Sequence, residues 1–105
     1  MNLLFVCRYN EMRSCTAETI FAAEGYSVKS AGTSKSATTT ISDEIINWAD
    51  LIFAMEEKHK SIITNYFPDS SNGKRIIVLN IPDNYYYMED ELVELLKEKI
   101  KPYLS

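Results

Sequence analysis

A chain of 105 residues can enclose one core and bury roughly 65% of its unfolded surface, but it is too short for two cores. A make-up that is 46% hydrophobic and 25% charged, with three Gly and three Pro, excludes a low-complexity, repeat or disordered protein and predicts one globular domain over residues 1–105. A formal net charge of -4 argues against a nucleic-acid binder, which needs a basic stripe to displace counterions, yet it allows a small anionic substrate held by local positive potential.

Met1-Asn2 runs straight into apolar residues, with no charged leader and no apolar stretch of about 20 residues. Neither a signal peptide nor a membrane span is expected, and the expected location is the cytoplasm. Cys7 and Cys15 are too few and too close in sequence for a disulfide framework, which fits a reducing compartment.

Residues 2–7 are continuously apolar after Asn2, the pattern of a central parallel strand covered on both faces. Cys7 ends that run and stands six residues before Arg13-Ser14, so C-x(5)-R-S falls between a strand end and a helix start. A loop closed in that position points several backbone N–H groups inward and makes a cradle for one tetrahedral dianion. A thiol held there serves as a thiolate nucleophile.

From Ser14 to Glu24 the residues Ala17, Ile20 and Phe21 share a helical face, and Gly25 ends the helix; a short strand follows over 26–30. The small and polar residues from Ala31 to Thr40 predict a loop, expected to be the most mobile part of the chain. Ser42 is a good N-cap for a short helix through Trp48, with Asp43 and Glu44 in its first turn. Residues 50–55 read as a buried strand and 56–66 as a helix with Ile62, Ile63 and Tyr66 on its apolar side, closed by Phe67-Pro68. A turn over 70–73, a strand over 75–79 and a loop over 81–84 come next. The last helix, about 89–101, carries Leu92, Leu95, Leu96 and Ile100 as an amphipathic stripe and stops at Pro102.

Strands alternating with helices predict right-handed crossovers and an α/β fold: three layers, α/β/α, around a four-stranded parallel sheet. Ligands bind such sheets outside the strands' C-terminal ends. Cys7 and Asp83 both lie just past such ends, so they are expected on one rim although far apart in sequence.

The segments Leu4-Phe5-Val6-Cys7-x-x-Asn10-x-x-Arg13-Ser14-x-x-Ala17-Glu18, Ser30-Ala31-Gly32-Thr33, and Ala49-Asp50-Leu51-Ile52 with Met55, taken in order, resemble the low-molecular-weight protein tyrosine phosphatases. The likeness covers nearly the whole chain. It is greatest to a shortened branch of predicted tyrosine phosphatases, which ends in a phrase like Ile81-Pro82-Asp83-x-Tyr85 before a Glu/Leu-rich helix. The resemblance implies a cysteine-dependent phosphomonoesterase that needs no metal or other cofactor and works through a phosphocysteine.

Carried over residue by residue, Cys7 is the nucleophile, and Arg13 holds two equatorial phosphoryl oxygens in its planar fork. Asp83 is the general acid and then the general base. Ser14 hydrogen-bonds the thiolate, its other reading being a helix cap. Asn10 takes a left-handed backbone position in the loop, and Ser30 helps hold the loop. Tyr85 and Tyr86 match a tyrosine pair beside the acid loop, either as a wall of the cleft or as packing, while Tyr87 and Met88 read as packing.

Some features depart from the family pattern. The usual Asp-Pro pair is replaced by Pro82-Asp83, and Glu89 and Asp90 look like first-turn residues of the last helix. In the loop Tyr9 stands for a usual glycine, Met12 for a second thiol of some relatives, and Arg8 and Glu11 for small or apolar residues, either as exposed loop or as contacts to a polar leaving group. Between Thr33 and Ile41 the chain lacks a stretch of the longer members that includes a helix, part of the substrate-side wall and, in some, a histidine supporting the loop. His59, the one histidine, reads as a solvated helix residue, and Cys15 as a small buried hydrophobe.

The expected partner is a phosphorylated protein or a small phosphomonoester, with inorganic phosphate or sulfate able to occupy the loop; the chain is expected to be a monomer with no nucleic-acid or membrane partner. Three other functions fit parts of the pattern. A thiol-dependent arsenate reductase would need an external thiol, because no cysteine follows Cys15. A phosphocarrier would need a phosphocysteine that persists, which Asp83 opposes, and a phosphate-binding module would not need Cys7.

Overall fold

The computed structural model describes residues 1–104. Four strands, β1 (Asn2–Cys7), β2 (Ser27–Gly32), β3 (Leu51–Ala54) and β4 (Arg75–Val78), form one sheet in the order β2-β1-β3-β4 with every pair parallel. Helices α1 (Arg13–Ala23), α2 (Asp43–Trp48), α3 (Glu57–Tyr66), α4 (Pro68–Ser71) and α5 (Asp90–Ile100) connect and follow them, and a 3-10 turn covers Lys101–Tyr103. Among the described residues no helix is long and apolar enough to cross a membrane.

Side-chain alternation along β1 builds both halves of the core. Leu3, Phe5 and Cys7 belong to one cluster with Phe21 of α1 and Leu92, Leu96 and Ile100 of α5, whereas Leu4 and Val6 belong to the other with Ile46 of α2 and Ile63 of α3. Phe5 stacks between Phe21 and Phe53, with ring centroids 5.7 and 5.3 Å away. A strand buried on both faces has to be apolar throughout, which is why residues 3–7 show no alternation of polar and apolar.

The chain leaves β1 toward β2 on one side and returns to β3 on the other, so the connections diverge at the C-terminal ends of β1 and β3. An open crevice is left there. Cys7 ends β1 at its mouth, and Glu56 follows β3.

Two elements differ from the sequence expectation. Phe67 does end α3, but Pro68 then serves as the first residue of α4, because a proline that cannot continue one helix is preorganised to begin another. The polar segment after β2 is tied down: the N–H groups of Thr33, Ser34 and Thr38 donate to the carbonyls of Cys7, Arg8 and Tyr9 at 2.9, 2.9 and 3.2 Å. Ser42 caps α2 as expected, accepting from the Ile45 N–H at 3.3 Å.

Gly32 is where that segment crosses the first loop. A Cβ there would stand 2.6 Å from the Arg8 carbonyl oxygen and 3.0 Å from the Asn10 nitrogen, and would collide with Cβ of Ala37. Gly32→Ala is expected to push the two segments apart and cost about 2 kcal/mol, the scale of an overpacked core. Urea denaturation together with sulfate binding would check it: both stability and anion affinity should fall.

Candidate active site

Cys7 lies 3% exposed at the base of a pocket of about 200 Å3 whose other lining residues are Arg8, Tyr9, Glu11, Met12, Arg13 and Asp83. The 33–38 segment takes up the carbonyls of Cys7, Arg8 and Tyr9, and the Asn10 N–H of the same loop is directed at the Cys7 sulfur. Helix α1 starts at Arg13, and its first-turn N–H groups have no partner within the helix, so they add positive potential at the same end.

The loop conformation depends on Asn10, which sits in the left-handed region at φ 57°. Asparagine tolerates that region better than most residues because its short amide bonds locally. Its N–H donates to the Cys7 sulfur at 3.2 Å and its carbonyl accepts from the Cys15 thiol at 3.0 Å. The side-chain Oδ1 accepts from Ser14 at 2.9 Å, and Ser14 Oγ lies 3.0 Å from the sulfur of Cys7. Ser14 is not a helix cap: Met12 occupies that position, without a side-chain cap bond.

Arg13 is 2% exposed, with its guanidinium beneath the pocket. Nη1 donates to Glu56 Oε2 at 2.5 Å and to the Ile81 carbonyl at 2.8 Å, while Nε stands 3.7 Å from Asp83 Oδ1. Asp83 is 55% exposed, on the opposite side of the pocket mouth in the loop after β4. The three residues at 7, 13 and 83 therefore meet at one pocket.

Glu56 and His59 went unread as site residues. Burial alone would raise the Glu56 carboxyl, but the hydrogen bond and charge of Arg13 outweigh it and hold the group below the usual carboxylate range. His59 corrects the expectation of a solvated helix residue, for it is wholly buried. Its Nδ1 accepts from the Glu56 N–H at 3.0 Å, and the Glu56 side chain caps α3 in return, a reciprocal box that fixes the carboxylate under Arg13. A box signature was present in the sequence, but with His in the position that Glu or Gln usually fills.

Ser30 does not touch the phosphate loop itself. It bonds to Glu18 and lies 3.9 Å from Cys15, whose thiol supports the Asn10 carbonyl. Burial, followed by the charges of neighbouring acids, raises Cys15 and keeps it a thiol. Arg8 stacks over the Tyr9 ring at 4.9 Å on the pocket rim. Tyr85 and Tyr86 line a hollow that shares Met12 and Asp83 with the Cys7 pocket, and Tyr86 is 77% exposed. The Tyr87 hydroxyl lies 2.8 Å from Thr19 Oγ1 and the Met88 N–H donates to Thr16, so both rest on α1.

No protein-family model and no curated protein matches the chain. Among solved structures, a variant of YwlE from Bacillus subtilis aligns with TM-score 0.76 at 26% identity, covering 100% of this chain and 99% of that one. A cysteine-to-serine variant of the YwlE arginine phosphatase, with its active-site serine phosphorylated, aligns with TM-score 0.72 at 25% identity over 97% and 95%. The tyrosine phosphatase Wzb from Escherichia coli K30, in complex with phosphate, shares the fold with TM-score 0.77 at 20% identity over 97% and 94%. The structural neighbours are low-molecular-weight protein tyrosine phosphatases, as the sequence resemblance implied, and the four-stranded parallel α/β architecture is theirs.

Burial of the imidazole and then the charge of Arg13 lower His59 to about 4. An unfolded histidine takes its proton near 6.5, so the stability held by the neutral buried ring is full above that pH and lost as pH falls toward 4, on the order of 3 kcal/mol in all. His59→Gln keeps an acceptor for the Glu56 N–H without titrating. Denaturation midpoints between pH 7 and pH 4 should fall less steeply in that variant than in the wild type.

Proposed function

We propose that this protein is a cysteine-dependent phosphomonoesterase that forms a phosphocysteine at Cys7 and uses Asp83 as general acid and base. The observation that carries this reading is one pocket lined by a sulfur, a buried guanidinium and a carboxyl on its rim. The phosphatase identity of the structural neighbours is consistent with a phosphoric monoester hydrolase, and the phosphoserine of the arginine phosphatase variant supports phosphoryl transfer to the equivalent sulfur here.

In the first step the Cys7 thiolate attacks phosphorus in line as the bond to the leaving group breaks, P–O in a phosphomonoester or P–N in a phosphoarginine. Asp83 gives the departing oxygen or nitrogen its proton. With Nη1 engaged by Glu56 and Ile81, Arg13 offers its Nε and Nη2 edge to two phosphoryl oxygens, the Nε giving up its 3.7 Å contact with Asp83 to the substrate, and the loop amides take the remaining charge. In the second step Asp83 accepts a proton from water as that water attacks phosphorus, and the sulfur leaves as thiolate.

Ser14 has one hydroxyl proton and two neighbours within reach, the Asn10 amide and the sulfur. When Cys7 is a thiolate the proton belongs on the sulfur side, where with the Asn10 N–H it stabilises the leaving group. The substrate is a phosphorylated protein or small phosphomonoester; phosphotyrosine and phosphoarginine both suit the pocket. Glu11 and Arg8 place opposite charges on its rim and favour a leaving group more polar than phenyl.

Phosphate release from p-nitrophenyl phosphate in the presence of EDTA tests the chemistry. Cys7→Ser should abolish turnover, Asp83→Ala should lower kcat by about 100-fold or more, and Arg13→Lys should cripple catalysis because a point charge cannot bridge two oxygens. A phosphocysteine that accumulates without phosphate release would support a carrier instead. For the rim, a panel of aryl, alkyl and guanidino phosphates should be ranked differently by Glu11→Ala than by wild type, and an unchanged ranking would remove Glu11 from substrate selection.

A further inference from the structure

Resting on that reading, we propose that the Cys7 pocket opens into a peptide groove that accepts an acidic residue beside the phosphorylated one and an apolar residue beyond it. Arg8 forms a wall shared by the Cys7 pocket and a neighbouring cavity of about 320 Å3. Thr33, Ser34, Lys58, His59 and Ile62 complete that cavity. Thr33 and Ile62 in turn border a third depression of about 540 Å3, with Ile41, Tyr66 and Phe67 among its lining. The second and third hollows thus follow one another between the 33–41 segment and α3, and Arg8 joins them to the Cys7 pocket.

The middle cavity has the chemistry of an anion site. Two cationic residues and two hydroxyl residues line it and no acidic residue does, in a chain with 15 acids against 11 bases. His59 contributes a further donor. Since its Nδ1 accepts from the Glu56 N–H, the neutral ring carries its proton on Nε2, and that atom is buried without a partner. A buried donor left unpaired costs about 1–3 kcal/mol, and a carboxylate entering the cavity is an acceptor that can relieve it. The Lys58 ammonium stands 3.8 Å from Glu56 and is 59% exposed, a loose contact that a substrate carboxylate can replace.

The third depression sets the class of occupant. Its lining is largely apolar, with Lys35 as its one charged residue, and Tyr66 stands 76% exposed at its edge, so it suits an aliphatic side chain better than a second phosphate. A small bisphosphate would fill the first two hollows and leave the third empty. A polypeptide strings different side chains along one backbone, and it can present a phosphoryl group, a carboxylate and an aliphatic side chain to the three in turn. Charge complementarity and continuity with the Cys7 pocket therefore favour a phosphorylated protein segment.

Calorimetric binding of peptides carrying phosphonomethyl-phenylalanine separates the outcomes, with Asp or Ala next to the phosphonate on either side and Leu or Ala farther out. The Asp, Leu peptide should bind about tenfold tighter than its Asp-to-Ala and its Leu-to-Ala counterparts, and tighter than a benzene bisphosphonate. Lys58→Glu should erase the first preference and Ile62→Asp the second. Equal affinities across the peptides, no peptide binding, or a bisphosphonate that binds as tightly as the best peptide would overturn the groove. If wild type releases no phosphate from p-nitrophenyl phosphate but keeps both peptide preferences, the groove stands and the hydrolase reading falls.

Discussion

A guanidinium buried at the loop between β1 and α1 is the constraint on which the rest of this structure depends. Arg13 is 2% exposed, and a cation taken out of water at that depth needs partners whether or not a phosphate is bound. Glu56 and the Ile81 carbonyl supply them, from the segments that follow β3 and β4. One side chain at the start of α1 thereby ties together the C-terminal ends of three strands. Its Nε edge faces Asp83 across the Cys7 pocket, and the same rigidity that steadies the fold fixes the direction of that edge. Glu56 in turn is held by the reciprocal cap with His59, so the orientation of Arg13 reaches back into the first turn of α3.

The phosphate loop itself is supported largely by backbone. Three N–H groups from residues 33–38 occupy the carbonyls of Cys7, Arg8 and Tyr9, and Gly32 allows the two strands of chain to pass close enough for that to happen. Side-chain support comes from Asn10, Ser14 and Cys15 near the sulfur and from Thr16, whose hydroxyl donates to the Met12 carbonyl at 2.7 Å. The connection from β2 to α2 is only ten residues long, and it does its work through hydrogen bonds of the main chain.

That division explains what could be read from residue order. The C-x(5)-R-S spacing, the apolar runs and the Ser42 cap are local patterns, and they led to the sheet, to the loop and to Asp83 on the same rim as Cys7. The left-handed Asn10 came instead from the family resemblance, and its residue type suits that conformation, which few others tolerate. Backbone bonds from Thr33, Ser34 and Thr38 have no residue signature, so a Ser/Thr-rich stretch read as free loop. His59 was misread because one polar residue among Lys58, Lys60 and Ser61 has the look of a solvated face; its burial comes from the sheet and the Arg13 pair, not from its neighbours in sequence.

An acidic protein can bind a dianion because charge acts locally. At physiological salt, charges farther apart than about 8 Å are largely screened in solvent, so the overall balance of -4 matters little beside the groups at the pocket. Those groups are arranged with an asymmetry. Glu11 and Asp83 stand around the mouth of the Cys7 pocket with Arg8 and Arg13, whereas the next hollow along the crevice, lined by Arg8 and Lys58, has no acid. Under the proposed function this arrangement guides a negatively charged substrate from the Arg8 side, with its leaving group set against the acids and its remaining charge toward α3. Orientation follows from where the two signs of charge sit, and it needs no contact beyond the rim.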